Sequence, residues 1–151
     1  MGAKRARAAI LMELALPGST YIYQGEELGL PEVADIPWDE LEDPTAFNSV
    51  REQIEKGRDG CRVPLPWVAA DAPKLDDPDD EFGHDGSFGF SPAGAEHDPH
   101  LPQPKWYKDF AVDVEDADPN SMLNLYRKAL SLRHNPVSYT HLRAHETLAN
   151  L

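Results

Sequence analysis

Residues 57–67 read GRDGCRVPLPW, placing Arg58, Asp59, the single cysteine Cys61 and Arg62 side by side, then Pro64, Pro66 and Trp67. A guanidinium is a planar fork of donors that can grip a carboxylate and ligand hydroxyls together. Neighbouring prolines reduce the freedom lost when such a grip forms. Arg62 is therefore the first candidate for binding chemistry, an anchor that pairs with a carboxylate and offers its other donors to a ligand. A structural ion pair with Asp59 or Glu27 is the other reading of the same side chain. Arg58 and Asp59 are expected to pair structurally. Trp67 could stack on a flat ligand, but an aromatic closing a Pro-rich loop more often packs. Cys61 has no spacing partner and no adjacent His, and reads as a small filler rather than a nucleophile.

These candidates sit in an acidic chain of 151 residues with a formal charge of −13. That charge disfavours nucleic acid or an anionic membrane as partner, because phosphate would be repelled; its plainest role is solubility. No apolar run approaches the roughly 20 residues of a membrane span. The opening MGAKRARAAILMELALPG is too Ala-rich, and too interrupted by Glu13, for a secretory signal. One cysteine cannot form an internal disulfide, which fits a reducing cytoplasm. DDPDDEFGHDG (76–86) lacks the central Gly and terminal Glu of a calcium loop, and His84, His97 and His100 are irregularly spaced. No metal site and no cofactor are expected.

The elements that must carry the candidates are few. Ala3–Leu16 reads as a helix, with Ile10, Leu11 and Leu14 on one apolar face and Met12, Ala15 and Leu16 extending the burial; Pro17-Gly18 stops it. Thr20-Tyr21-Ile22-Tyr23 fits a short buried strand that opens onto Gln24, Glu26 and Glu27. From Leu30 to about Ala117 the pattern is loop-like, with at most a short helix near 46–56. A second helix follows Asp118 as N-cap and Pro119 in the first turn, with Met122, Leu125, Tyr126, Ala129 and Leu132 at helical spacing. A long middle without regular structure is unusual in a self-contained domain. A lone parallel strand also needs neighbours for its hydrogen bonds. Both features suggest a portion of something larger, such as the closing section of a βα barrel.

The end of the chain has a different origin in this reading. With suitable codons, VSYTHLRAHET (137–147) back-translates into the transposase mosaic-end adapter of sequencing libraries. Residues 136–151 are therefore expected to be a non-native tail, leaving 1–135 as the protein proper.

GSTYIYQGEELGLPE (18–32), followed downstream by GRDGCRVPLPW, resembles the α-glucosidase and oligo-1,6-glucosidase branch of the α-amylase superfamily. There a barrel strand typically reads G-T-P-Y-I-Y-Q-G-E-E-[IL]-G and a later loop G-R-D-x-x-R-T-P-M-x-W. GFSPAG, HDPHLPQPKWY and NSMLNLYRKALSLRHN resemble further elements of that branch, the last being the helix that closes the barrel. Ser19-Thr20, Val63, Leu65 and His100 depart from the pattern. The first three changes concern packing, and His100 replaces a loop Trp.

The resemblance implies an α/β fold, a fragment of a (β/α)8 TIM barrel comprising its last strand, a long loop and the closing helix, with chemistry at the carboxyl ends of the strands. It implies a retaining glycosidase, with an Asp nucleophile and a Glu acid/base about 5 Å apart. Those carboxylates belong to earlier strands, so no catalytic residue is assigned here and residues 1–151 alone are expected to be inactive. Arg62 matches the loop arginine that supports the −1 sugar subsite. Gln24 and Glu26 fall at the strand end, as substrate-binding candidates or as carboxylate and amide groups that hydrogen-bond loop backbone. Residues 30–56 correspond to a loop at the site mouth, with no single residue assigned. The implied partner is a short oligosaccharide. Alternatives on the same barrel are a transglycosylase or isomerase, or a catalytically silent relative that escorts a transporter.

Overall fold

The computed structural model describes residues 2–49 and 55–134. The segment 136–151, expected to be a non-native tail, lies outside the described residues, as do residues 50–54 of the expected helix near 46–56; residues 55 and 56 are not helical. Four α-helices occur among the described residues: α1 (Gly2–Ala15), α2 (Pro44–Ser49), α3 (Val112–Ala117) and α4 (Met122–Arg133). The chain divides into a helical unit, residues 2–29 with 118–134, and a loop unit, residues 30–117.

In the helical unit, strong helix formers build α1 as expected, and the helix stops before Pro17 and Gly18. Only Ile10 and Leu14 of α1 are buried, one turn apart on a single stripe, where they cluster with Met122 and Tyr126 of α4. Leu11, Met12, Ala15 and Leu16 are exposed rather than extending that burial, because α4 covers only one stripe of α1. Arg133 of α4 donates to the carbonyls of Leu14 and Gly18, and to Leu16 O at 2.7 Å. One guanidinium thus satisfies the Leu14 carbonyl, left without an intrahelical partner at the end of α1, and two carbonyls of the turn that follows.

Thr20–Tyr23 is not a buried strand, and no strand is formed among the described residues. Ladder bonds need a neighbouring strand, and without one Tyr21 stands 89% exposed. The two-residue alternation survives: Thr20 and Ile22 are half-buried while Tyr21 and Tyr23 face solvent. A 3-10 turn at Glu26–Leu28 follows, held between left-handed Gly25 and Gly29.

The N-cap of α4 is Ser121, not Asp118. The Ser121 hydroxyl accepts from Asn124 N at 3.1 Å. Asp118 instead closes the preceding turn, accepting from Asn120 N at 2.9 Å. Leu132, placed on the apolar face by its spacing, is exposed, whereas Leu123 is buried.

The loop unit has little regular structure, as its Pro and Gly content implies, yet it has its own core. Val33, Ile36, Leu41, Ala46, Val63, Phe88, Leu101 and Tyr107 form one buried cluster, with Trp38, Phe82 and Trp106 packed against it. Phe88 is the hub: its N–H donates to Asp71 O at 2.7 Å, and its carbonyl accepts from Trp67 N and Val68 N at 2.7 and 2.8 Å. These bonds hold the residue at a φ of 48°. α3 and a 3-10 run at Lys105–Phe110 were not expected from the sequence pattern.

Ser121→Ala should lower the unfolding free energy by about 1 kcal/mol in urea titrations, the usual cost of a lost N-cap. Asp118→Ala should cost less; the opposite order would return the cap to Asp118.

Candidate functional site

The local structure around Arg62 begins in IPWDELEDPTAF. Asp followed by Pro and Thr is a helix-start pattern, and Asp43 caps α2 with Pro44 in its first turn. The Asp43 carboxylate accepts from Thr45 N through Oδ1 at 2.9 Å. The peptide N–H groups of Glu42 and Asp43 both donate to Asp59 Oδ2 at 2.7 Å. Asp59 therefore staples the GRDG turn to the start of α2.

Two glycines make that approach possible. Gly57 has a φ of +79°, and a Cβ there would sit 2.7 Å from Asp43 Cβ. A Cβ on Gly60 would lie 2.6 Å from Val33 O, beside the 3.0 Å bond from Val33 N to Gly60 O.

The arginines close on this frame. Arg58 Nε lies 3.1 Å from Asp43 Oδ2, and Arg62 Nη1 lies 3.2 Å from the same oxygen. Arg62 Nη1 also lies 3.7 Å from Asp59 Oδ1. Asp43 and Asp59 are 1% and 2% exposed, whereas the Arg62 side chain is 39% exposed. The result is a pair of buried carboxylates gripping one edge of a half-exposed guanidinium. The expected Arg58–Asp59 pair is replaced by Arg58–Asp43, because Asp59 Oδ2 is taken by backbone donors. Both carboxylates that Arg62 meets among the described residues come from the loop unit. Asp43 was missed because it is 19 residues from Arg62; its only sequence signal was that of a cap.

The Thr45 N–H and side chain, and then Arg58, hold the Asp43 carboxyl well below its ordinary value of 3.8, against the opposing effect of burial. The folded protein thus binds fewer protons at Asp43 than the unfolded chain between the two values. Stability from this group is full above about pH 4 and is lost as pH falls toward the lower folded value.

The other candidates are placed differently. Gln24 and Glu26 lie in the helical unit, and both are exposed. Glu26 Oε2 accepts from Tyr23 N at 3.0 Å and Glu27 Oε2 from Gly25 N at 2.9 Å, the backbone-bonding alternative for these carboxylates. Tyr126, buried beside Glu26, Glu27 and Glu13, has its hydroxyl pushed up to about 12, by burial first and those charges next. It stays protonated and bonds Glu26. Trp67 is 48% exposed. Cys61 is exposed and fills no core gap. Val63 is buried, consistent with a packing change there, and His100 is exposed.

Two outcomes should follow. Asp43→Asn should flatten the loss of stability below about pH 4 seen in acid titrations followed by circular dichroism. Gly57→Ala should lower the thermal midpoint more than Gly94→Ala, since a Cβ at Gly94 meets nothing within 4 Å although its φ is also positive.

The family model described as the α-amylase catalytic domain matches residues 1–141. A probable α-glucosidase of Rhizobium meliloti (strain 1021) is 38% identical over 126 residues, covering 83% of this chain and 18% of the relative. An oligo-1,6-glucosidase of Parageobacillus thermoglucosidasius is 30% identical over 133 residues, covering 78% of this chain and 20% of the relative. A crystal structure of an alpha-glucosyl transfer enzyme superposes with a TM-score of 0.64 at 31% identity, covering 90% of this chain and 21% of that one. The chain thus spans about a fifth of the length of the relatives it matches. Family match and structural neighbour together support part of a TIM-barrel enzyme. With the family match covering most of its length, this chain belongs to the α-amylase catalytic-domain family.

Proposed function

We propose that these residues supply the closing section of the barrel of a retaining α-glucosidase: the segment at its last strand position, the loop that follows and the closing helix. The enzyme releases terminal α-linked glucose from short oligosaccharides. The nucleophile and acid/base come from other strands of the whole enzyme, and the reaction calls for no cofactor. Arg62 is a substrate-binding residue at the −1 subsite, with Gln24 and Glu26 as further substrate contacts from the end of the strand segment. The carrying observation is the guanidinium held on one edge by Asp43 and Asp59 while 39% of the side chain stays exposed. Among the described residues, Nε and Nη2 of Arg62 have no partner, leaving donors for a ligand's hydroxyls and carboxylate neighbours. The single cysteine supports a cytoplasmic setting; no described helix is long and apolar enough to cross a membrane.

A second reading is glucosyl transfer, in which a sugar hydroxyl rather than water attacks the covalent intermediate. It is favoured by the structural neighbour, an alpha-glucosyl transfer enzyme. Product analysis with maltose and isomaltose separates the two: free glucose alone supports hydrolysis, and lengthened oligosaccharides support transfer.

Removing the Arg62 side chain altogether would disturb more than ligand binding. Its grip on two buried carboxylates gives it a structural load as well, so Arg62→Lys is the cleaner test. In the full-length enzyme, Arg62→Lys keeps a cation against Asp43 but loses the fork, and should lower kcat/KM for α-glucosides by about tenfold or more. Near-normal kcat/KM with a lowered thermal midpoint would make Arg62 purely structural.

A further inference from the structure

The clamp divides its work between its two aspartates. Asp59 spends Oδ2 on the peptide N–H groups of Glu42 and Asp43, both at 2.7 Å, and reaches Arg62 only at the ionic distance of 3.7 Å. It sets the backbone on which Asp43 stands. Asp43 spends Oδ1 on Thr45 N and turns Oδ2 to the arginines, bonding Arg62 Nη1 at 3.2 Å. Arg58 bonds the same Oδ2 from the other side through Nε at 3.1 Å and its own N–H at 3.3 Å. Asp43 is thus immobilised by Thr45, Arg58 and the Asp59 staple before Arg62 is considered. At 1% exposure it cannot itself meet a substrate.

We infer that Asp43 is the positioning residue for Arg62. Its buried Oδ2 fixes Nη1 and thereby aims the remaining donors of the guanidinium at the ligand. This rests on the reading of Arg62 as a substrate-binding residue. A charge-assisted hydrogen bond from a buried, immobile carboxylate holds a long side chain far better than an exposed pair, in which side-chain entropy offsets most of the gain. Arg62 carries that entropy, and only Asp43 gives it a hydrogen bond within the clamp. Asn at position 43 keeps an oxygen for Thr45 N but loses the anion facing Nη1, so the guanidinium is released without removing the cap.

A double-mutant cycle in the full-length enzyme tests this, using Asp43→Asn, Arg62→Lys and the double variant, with kcat and KM measured on an aryl α-glucoside. Asp43→Asn should lower kcat/KM by about tenfold, and the double variant should be little worse than Arg62→Lys alone, because both changes remove one aimed group. If Arg62→Lys is impaired but Asp43→Asn is fully active, or if the two losses multiply, the positioning role is overturned while the Arg62 reading stands. If Arg62→Lys is fully active, the reading beneath the inference fails as well. Should Asp43→Asn not fold, Asp43→Glu replaces it in the same cycle, keeping the charge but moving it by one methylene. An independent, multiplicative loss in that cycle likewise overturns the inference.

Discussion

Burying two carboxylates is the constraint around which the loop unit is arranged. An ionised group taken out of water is tolerable only when its lone pairs are met by donors in good geometry. Asp59 meets this with two peptide N–H groups, and Asp43 with Thr45 N and two arginines. The same contacts bring residues 42–45 and 57–62 together and force glycine at 57 and 60. Geometry and electrostatics therefore select each other: the glycines allow the approach that satisfies the anions, and the anions hold the approach closed.

Elsewhere in the unit, aspartates serve a related purpose. Asp71 accepts from Gly89 N at 2.8 Å, and Asp113 accepts from Ala69 N at 3.1 and 3.2 Å. Within the acidic 76–86 run, Asp80 Oδ2 accepts from Asp77 N and Asp77 Oδ1 from Asp79 N, both at 2.9 Å. Where no ladder supplies acceptors for peptide N–H groups, side-chain carboxylates do so. The acidity of the chain is thus partly structural, beyond the solubility its net charge confers.

A side chain on a loop needs a rigid support if it is to be held at a defined place. Here the support is polar and local rather than a strand ladder. Prolines 64 and 66 are buried beside buried Val63, while Arg62 keeps an exposed edge. In the helical unit the same economy appears in Arg133, whose one guanidinium closes the carbonyl end of α1.

By itself, the amino-acid sequence determined the two long helices, the irregular middle and the family motifs around residues 18–32 and 57–67. Helical spacing, prolines, glycines and short ordered motifs are local signals. It also singled out Arg62 as a candidate, because a guanidinium among prolines is visible in one stretch. Tertiary structure alone decided that Asp43 is Arg62's partner, that Arg58 leaves Asp59 for Asp43, and that Ser121 rather than Asp118 caps α4. It also decided that only one stripe of α1 is buried and that residues 20–23 form no strand. Periodicity can state that a side chain is apolar or a carboxylate is acidic. Which donor fills a buried acceptor, and which stripe finds a partner, depends on contacts between residues far apart in the chain, and no local pattern encodes them.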